Sequence, residues 1–303
     1  MGCLETLKQE FRCRAFLLGG TKSNLFVTPQ GRWLGMPWTF MIYRLAIAIY
    51  QLVFVILTLV YWGREPLYST VDTKAKWLIY ISNWTYLFVL AYFIIAAINT
   101  FYWHLGHEKK GHVDKSGEKI EMSNANTTDV EIALPSGGDE STPWYLQLQR
   151  FCQVYSCAAS VFVTILFYAL VYDSSSTVIH VFNVHVHGIA MVLMFIDTIL
   201  VATPIRILHM VYVMLVAFIY FCFTAIYYAA GGRNPSGGTY IYSGSLDWKA
   251  KASRSAVIAV LTVLVAAPVL HLIFYGIYRI RLAIGSFCQC YTHHDSEIST
   301  SSD

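Results

Sequence analysis

The chain alternates long apolar stretches with short polar joints. Six stretches carry no charged residue: Leu45 to Trp62, Trp77 to Trp103, Phe151 to Tyr172, Val178 to Ile196, Ile207 to Gly232 and Ser255 to Tyr278. Each approaches or exceeds the roughly 20 residues a helix needs to cross the hydrocarbon core of a bilayer. They are too long for core strands, and too evenly apolar for the alternating strands of a membrane barrel. The pattern predicts an all-α fold, a polytopic membrane protein with six transmembrane helices. Trp38, Trp62, Trp77, Trp103, Trp144 and Trp248 fall at or near the ends of the runs, where amphipathic rings prefer the headgroup layer.

The joints predict an orientation. Residues 1–37 are polar and basic with no apolar leader, so they read as a cytosolic segment rather than a cleaved signal. Lys and Arg then divide thirteen to seven between the two sides, with Arg44 left at the start of the first helix. The richer side is cytosolic, and six crossings return the carboxyl terminus there, so both termini are expected in the cytosol. The membrane domain is expected over residues 38–282 and a cytosolic tail over 283–303. Residues 104–143 cluster Lys, Glu, Asp, Ser and Asn around a Ser136-Gly137-Gly138 break, which suits a flexible cytosolic loop without a core. The glycosylation triplet Asn126-Thr127-Thr128 in this loop would be modified only if the loop faced the lumen. A second triplet, Asn83-Trp84-Thr85, lies within an apolar run and should be out of reach.

Composition narrows the function classes. Hydrophobic residues make up 56% of the 303 and charged residues 13%, against about 25% charged in ordinary soluble chains. That is too little polar material to coat a water-facing enzyme. The net charge of +3 comes without basic clusters or stacking platforms, so nucleic acid is not an expected partner. Membrane lipids are.

Both ends carry acylation patterns. Met1-Gly2-Cys3-Leu4-Glu5-Thr6 fits myristoylation of Gly2, with Cys3 beside it as a thioester site, and Cys288 and Cys290 follow the last run as juxtamembrane cysteines. Cys288, Cys290, His293 and His294 do not have a standard zinc-finger spacing, and no metal or cofactor is expected. Cys152, Cys157 and Cys222 fall within helices, where a small soft side chain packs well.

Polar groups at membrane depth are costly and mark the places where function should be sought. Arg44, Gln51 and Thr58 recur at seven-residue steps on the first helix, and Asn183, His187, Met194 and Asp197 form a stripe on the fourth. Ser82 lies five residues into the second run and His187 nine into the fourth, depths of about 8 and 14 Å at 1.5 Å per residue. With both helices entering from the outer side, a hydroxyl and an imidazole can meet in one layer. A Ser with a His base is the minimal set for nucleophilic acyl transfer, with Asn183 placed to orient the imidazole or a substrate carbonyl. The same residues also suit plain interhelical hydrogen bonding. Asp197 lies three turns below His187, too deep for a triad, and is expected to pair with Arg44 or a tyrosine. His185 and His187 stand about 200° apart on a regular helix and cannot share a metal.

Several segments resemble the rolling stone family of insect and other invertebrate membrane proteins. They are Tyr80-Ile81-Ser82-Asn83-Trp84, Asn183-Val184-His185-Val186-His187 with Ile196-Asp197, Thr203-Pro204-Ile205-Arg206-Ile207-Leu208-His209, and Ile226-Tyr227-Tyr228-Ala229-Ala230-Gly231-Gly232 running into Tyr240-Ile241-Tyr242 and Leu246-Asp247-Trp248. The resemblance runs in order from about Trp38 to the end of the sixth helix. It implies a multipass protein linked to myoblast fusion and muscle development. A more distant likeness reaches the androgen-induced gene 1 family, six-helix hydrolases of fatty acid esters of hydroxy fatty acids that use a Thr nucleophile and a His. That likeness rests on an Asn four residues before a His and an acidic residue ten after it, here Asn183, His187 and Asp197. It would place Ser82 at the nucleophile position, where the family has Thr, and His187 at the base.

Two readings follow. One is a fusion component that meets partner membrane proteins through the loop from Arg233 to Arg254, which lies equally well on the headgroups as an interfacial hairpin. The other is an intramembrane Ser–His hydrolase of a lipid ester substrate. A transporter lacks support, because no inverted repeat of broken helices is evident. The expected location is the plasma membrane, with the endoplasmic reticulum as the alternative.

Overall fold

The computed structural model describes residues 10–11, 13–30, 37–62, 74–111, 142–172, 180–242 and 245–300. Among them six helices are long and apolar enough to cross a membrane: α1 (Pro37–Tyr61), α2 (Ile81–Gly106), α3 (Trp144–Ala169), α4 (Val181–Leu200), α5 (Ile207–Ala229) and α6 (Ala252–Gly285). The described residues form no strand, only the isolated bridges Pro29 with Val201 and Tyr242 with Leu246. The six apolar runs therefore are the six helices. Their ends differ in places: α1 starts eight residues before its charge-free run, because Arg44 is buried inside it. The second helix continues to Gly111 and the last to Thr300, since no proline stops either one. The glycosylation triplet at Asn126 and residues 112–141 of the central loop lie outside the described residues.

Helix α3 is the hub, packing along α2, α4, α5 and α6. Two-thirds of its apolar window is buried, 67% against 22% for α6. Its Cys157-Ala158-Ala159-Ser160 run is buried throughout, and small residues let neighbouring backbones approach. Helix α1 packs mainly on α2 and turns Ile42, Leu45, Ile49, Val53 and Ile56 outward. Such an exposed stripe would be a liability in water and is a lipid-facing surface in a bilayer.

Three spans contain a π-helical turn: Phe167–Val171 at the end of α3, His185–Ile189 in α4 and Thr262–Ala266 in α6. Single π turns inside helices recur at functional sites.

The amino-terminal segment is built into the bundle. Gln30 N–H donates to the Leu200 carbonyl at 2.7 Å and Ala202 N–H to Thr28 at 3.2 Å, beside extended residues that Pro204 keeps out of a helix. Arg150 donates to the Leu18 carbonyl (2.9 Å) and the Thr21 hydroxyl (2.7 Å), and its guanidinium lies 4.6 Å from the Phe26 ring. Arg206 donates to the Gly20 carbonyl at 2.8 Å, where Gly20 adopts φ +69°, a conformation glycine tolerates freely. Glu10 accepts from the Ile207 N–H at 3.2 Å, and burial raises its carboxyl above the usual range. Polar composition concealed this docking, because its bonds run to backbone carbonyls, which any sequence carries. Arg150→Met would leave the Leu18 carbonyl without this donor, at about 1–3 kcal/mol, and the Thr21 hydroxyl with Arg206 alone at 3.2 Å. Limited proteolysis should then cut near residues 17–21 in the variant while the native protein resists.

Candidate functional site

A cavity of about 780 Å³ opens between the spans at the end of the bundle opposite the docked amino-terminal segment. Ser82, Asn183 and His187 all line it, contributed by two helices about a hundred residues apart in sequence. Ser82 sits in the first turn of α2, where Asn83 donates to the Trp77 carbonyl at 2.6 Å and Ile81 N–H donates to the Tyr242 hydroxyl at 3.1 Å. The unpaired amides of a helix start carry the positive end of the macrodipole. Asn83 is buried, which places the second glycosylation triplet inside the protein.

His187 lies on the π turn of α4. Its ring stacks on Phe167, centroids 4.0 Å apart and planes within 2°, so the two residues are held together where two π turns face one another. Its Nδ1 is buried without a hydrogen-bond partner among the described residues, and no hydrogen bond joins His187 to Ser82. Catalytic contacts in unliganded sites are often long and close only around substrate. His185 does not line the cavity: its Nδ1 meets the Tyr86 hydroxyl at 2.6 Å and its ring stacks on Phe54 at 3.8 Å. The two histidines thus face different neighbours.

Asp197 lies apart from the cavity lining. It accepts from Arg44 Nη1 at 2.6 Å, from the Tyr43 hydroxyl at 3.0 Å and from the Tyr92 hydroxyl, with Arg44 and Asp197 both fully buried. The Arg44 guanidinium also sits 5.0 Å from the Phe40 ring. This is a closed polar knot joining α1, α2 and α4. Among the described residues no three His, Cys, Asp or Glu side chains gather as a metal site. Gly2 and Cys3 lie outside the described residues; Cys288 and Cys290 lie on the extension of the last helix, their side chains likewise outside.

Some lining residues were not legible in the sequence. Trp62 and Trp77 turn inward, 6% and 3% exposed, and line the cavity. The loop after α5 folds back over the mouth: Ile241 and Leu246 are buried in one cluster with Ile79 and Tyr220, and Asn234, Tyr240 and Tyr242 face the space below. Trp248 donates to the Thr224 hydroxyl at 3.1 Å and so ties the loop to α5. The only sequence signal was the density of aromatic residues in a joint otherwise rich in turn formers.

The comparisons with known proteins agree with this architecture. The family described as Protein rolling stone matches residues 5–298. The chain belongs to the rolling stone family. A curated member, Protein rolling stone of Drosophila melanogaster, is 23% identical over 209 residues, which cover 68% of this chain and 68% of that protein. No solved structure matches the chain. Family membership and six apolar helices together identify a multi-pass integral membrane protein, and the match reaches the docked amino-terminal segment as well as all six spans.

Proposed function

We propose that the chain is an intramembrane hydrolase of a lipid ester, with Ser82 as nucleophile, His187 as general base and Asn183 as a carbonyl or imidazole partner. The observation that carries this reading is the shared cavity, in which those three side chains line one largely apolar space of about 780 Å³. Volumes of 300–1,000 Å³ are usual for ligand sites. In the reaction Ser82 Oγ attacks the ester carbonyl carbon and its proton passes to His187. The alcohol oxygen leaves with that proton, and water, activated by the same imidazole, splits the acyl-serine to release the acid. The macrodipole at the start of α2 favours the negative charge that develops beside Ser82. A fluorophosphonate probe tests this: folded protein should label, and labelling should vanish in Ser82→Ala. Labelling that persists in Ser82→Ala, or its absence from the folded native chain, would sink the assignment.

Membership of the rolling stone family supports a second reading at the level of the cell, a role in myoblast fusion and muscle development at the plasma membrane, with both termini cytosolic. The two are compatible, since both place the chain's action at a membrane. The loop after α5 serves this reading less well as a docking surface, because its apolar residues are spent on the cavity roof.

A further inference from the structure

The cavity has a polar end and a more apolar end, whose lining still includes Tyr155 and Thr262. Ser82, Asn83, Asn183 and His187 lie near the starts of α2 and α4, and the roof adds Asn234, Tyr240 and Tyr242. Below them the space continues between α3, α5 and α6. On α6 it is lined from Ile258 to Leu270, twelve residues or about 18 Å along a helix; on α5 it reaches down to Val213. Alanines hollow out this lower part: Ala158 and Ala159 on α3, Ala217 on α5 and Ala267 on α6.

The lining contains no Asp, Glu, Lys or Arg among the described residues. Lys76, whose Nζ donates to the Asn234 carbonyl at 3.4 Å, belongs to the approach to the roof and not to the lining. Burying a charged head here would carry a penalty of several kcal/mol with no counter-ion to offset it, whereas hydroxyls and amides can be matched one for one.

From this we infer that the cavity takes a single-chain ester with an uncharged, hydroxyl-bearing head, a monoacylglycerol being the simplest, with the head beneath the roof and the acyl tail in the alanine-lined shaft. This rests on the hydrolase reading for its chemistry, though not for its binding. Attack by Ser82 on the carbonyl transfers the acyl group to its oxygen and releases glycerol, which takes the proton held by His187; water then yields the fatty acid. The product is a carboxylate at neutral pH, so the lining that accepts the substrate disfavours the product and promotes its release. A fatty acid ester of a hydroxy fatty acid already carries a free carboxylate and fits this lining worse.

The test uses the full chain in lipid nanodiscs. A long-chain 1-O-alkylglycerol ether, which cannot be hydrolysed, should raise the unfolding temperature of both native protein and Ser82→Ala. The fatty acid of equal length, and a fatty acid ester of a hydroxy fatty acid, should bind at least about tenfold more weakly, a difference of 1.4 kcal/mol. Methylating the carboxylate of that ester should restore binding. Ala217→Trp, and independently Ala267→Phe, should fill the shaft and abolish the ether's effect, each judged by a variant whose ligand-free unfolding stays cooperative. Equal or tighter binding of the carboxylates, or no response to the ether, overturns the inference. Binding of the ether with no turnover of any ester would leave the ligand class standing and remove the hydrolase reading instead.

Discussion

Asp197→Ala is expected to destabilise the protein by about 3–5 kcal/mol, the loss seen when one partner of a buried ion pair is removed. The variant would leave the fully buried Arg44 guanidinium without its carboxylate, and the hydroxyls of Tyr43 and Tyr92 without their acceptor. Two guanidinium nitrogens of Arg44, Nε and Nη2, already lack a partner among the described residues, and Nη1 would keep only the Tyr92 hydroxyl at 3.5 Å. Arg44→Leu should cost a comparable amount from the other side. The double variant Arg44→Leu/Asp197→Leu should recover part of the loss, because no buried charge is left unpaired, while the hydroxyls of Tyr43 and Tyr92 still lack their acceptor. Thermal unfolding of the purified protein in detergent measures all three. If the two single losses simply add in the double variant, the pair does not act as a unit.

The second large effect concerns turnover. Loss of a general base costs about a hundredfold to ten-thousandfold in rate, so His187→Ala should fall in that range on whichever ester proves to be substrate. His187→Phe is the sharper variant. It keeps a flat ring to stack on Phe167 but removes the nitrogen that would accept the serine proton in the proposed mechanism. If His187 served only to pack, this variant would retain activity; as the base, it should lose activity while unfolding at about the native temperature. The combination Ser82→Ala/His187→Ala should be no slower than Ser82→Ala alone, since groups that act together in one step are not additive.

The helices were legible because a bilayer imposes a coarse rule: about 20 residues without charge. The polar stripe of α4 was legible for the same reason, and it separates into two uses in the structure, with Asn183 and His187 at the cavity and Asp197 in the knot with Arg44. Helical periodicity also separated His185 from His187, although the π turn there changes the local pitch. Tertiary bonding to backbone carbonyls was not legible. Arg150 and Arg206 are two of the thirteen Lys and Arg counted on the cytosolic side, and they act as clamps on residues 18–21. Trp62 and Trp77 read as interfacial anchors and line the cavity instead, since a tryptophan at a helix end suits a headgroup layer and a cavity wall equally well. The folding-back of the loop after α5 depended on Ile241 and Leu246 finding Tyr220 and, across more than 160 residues, Ile79, a pairing that no local pattern encodes.

The bond from Glu10 to the start of α5 has a bearing on the other end of that segment. Only seven residues lie between Gly2 and Glu10, a tether of roughly 28 Å at full stretch. A fatty chain attached there could dip into the bilayer only within that radius of its own bundle, too short a leash to grip an apposed membrane. Acylation at Gly2 would consequently act as a local pin, tightening the hold of the chain on the lipid that already surrounds it.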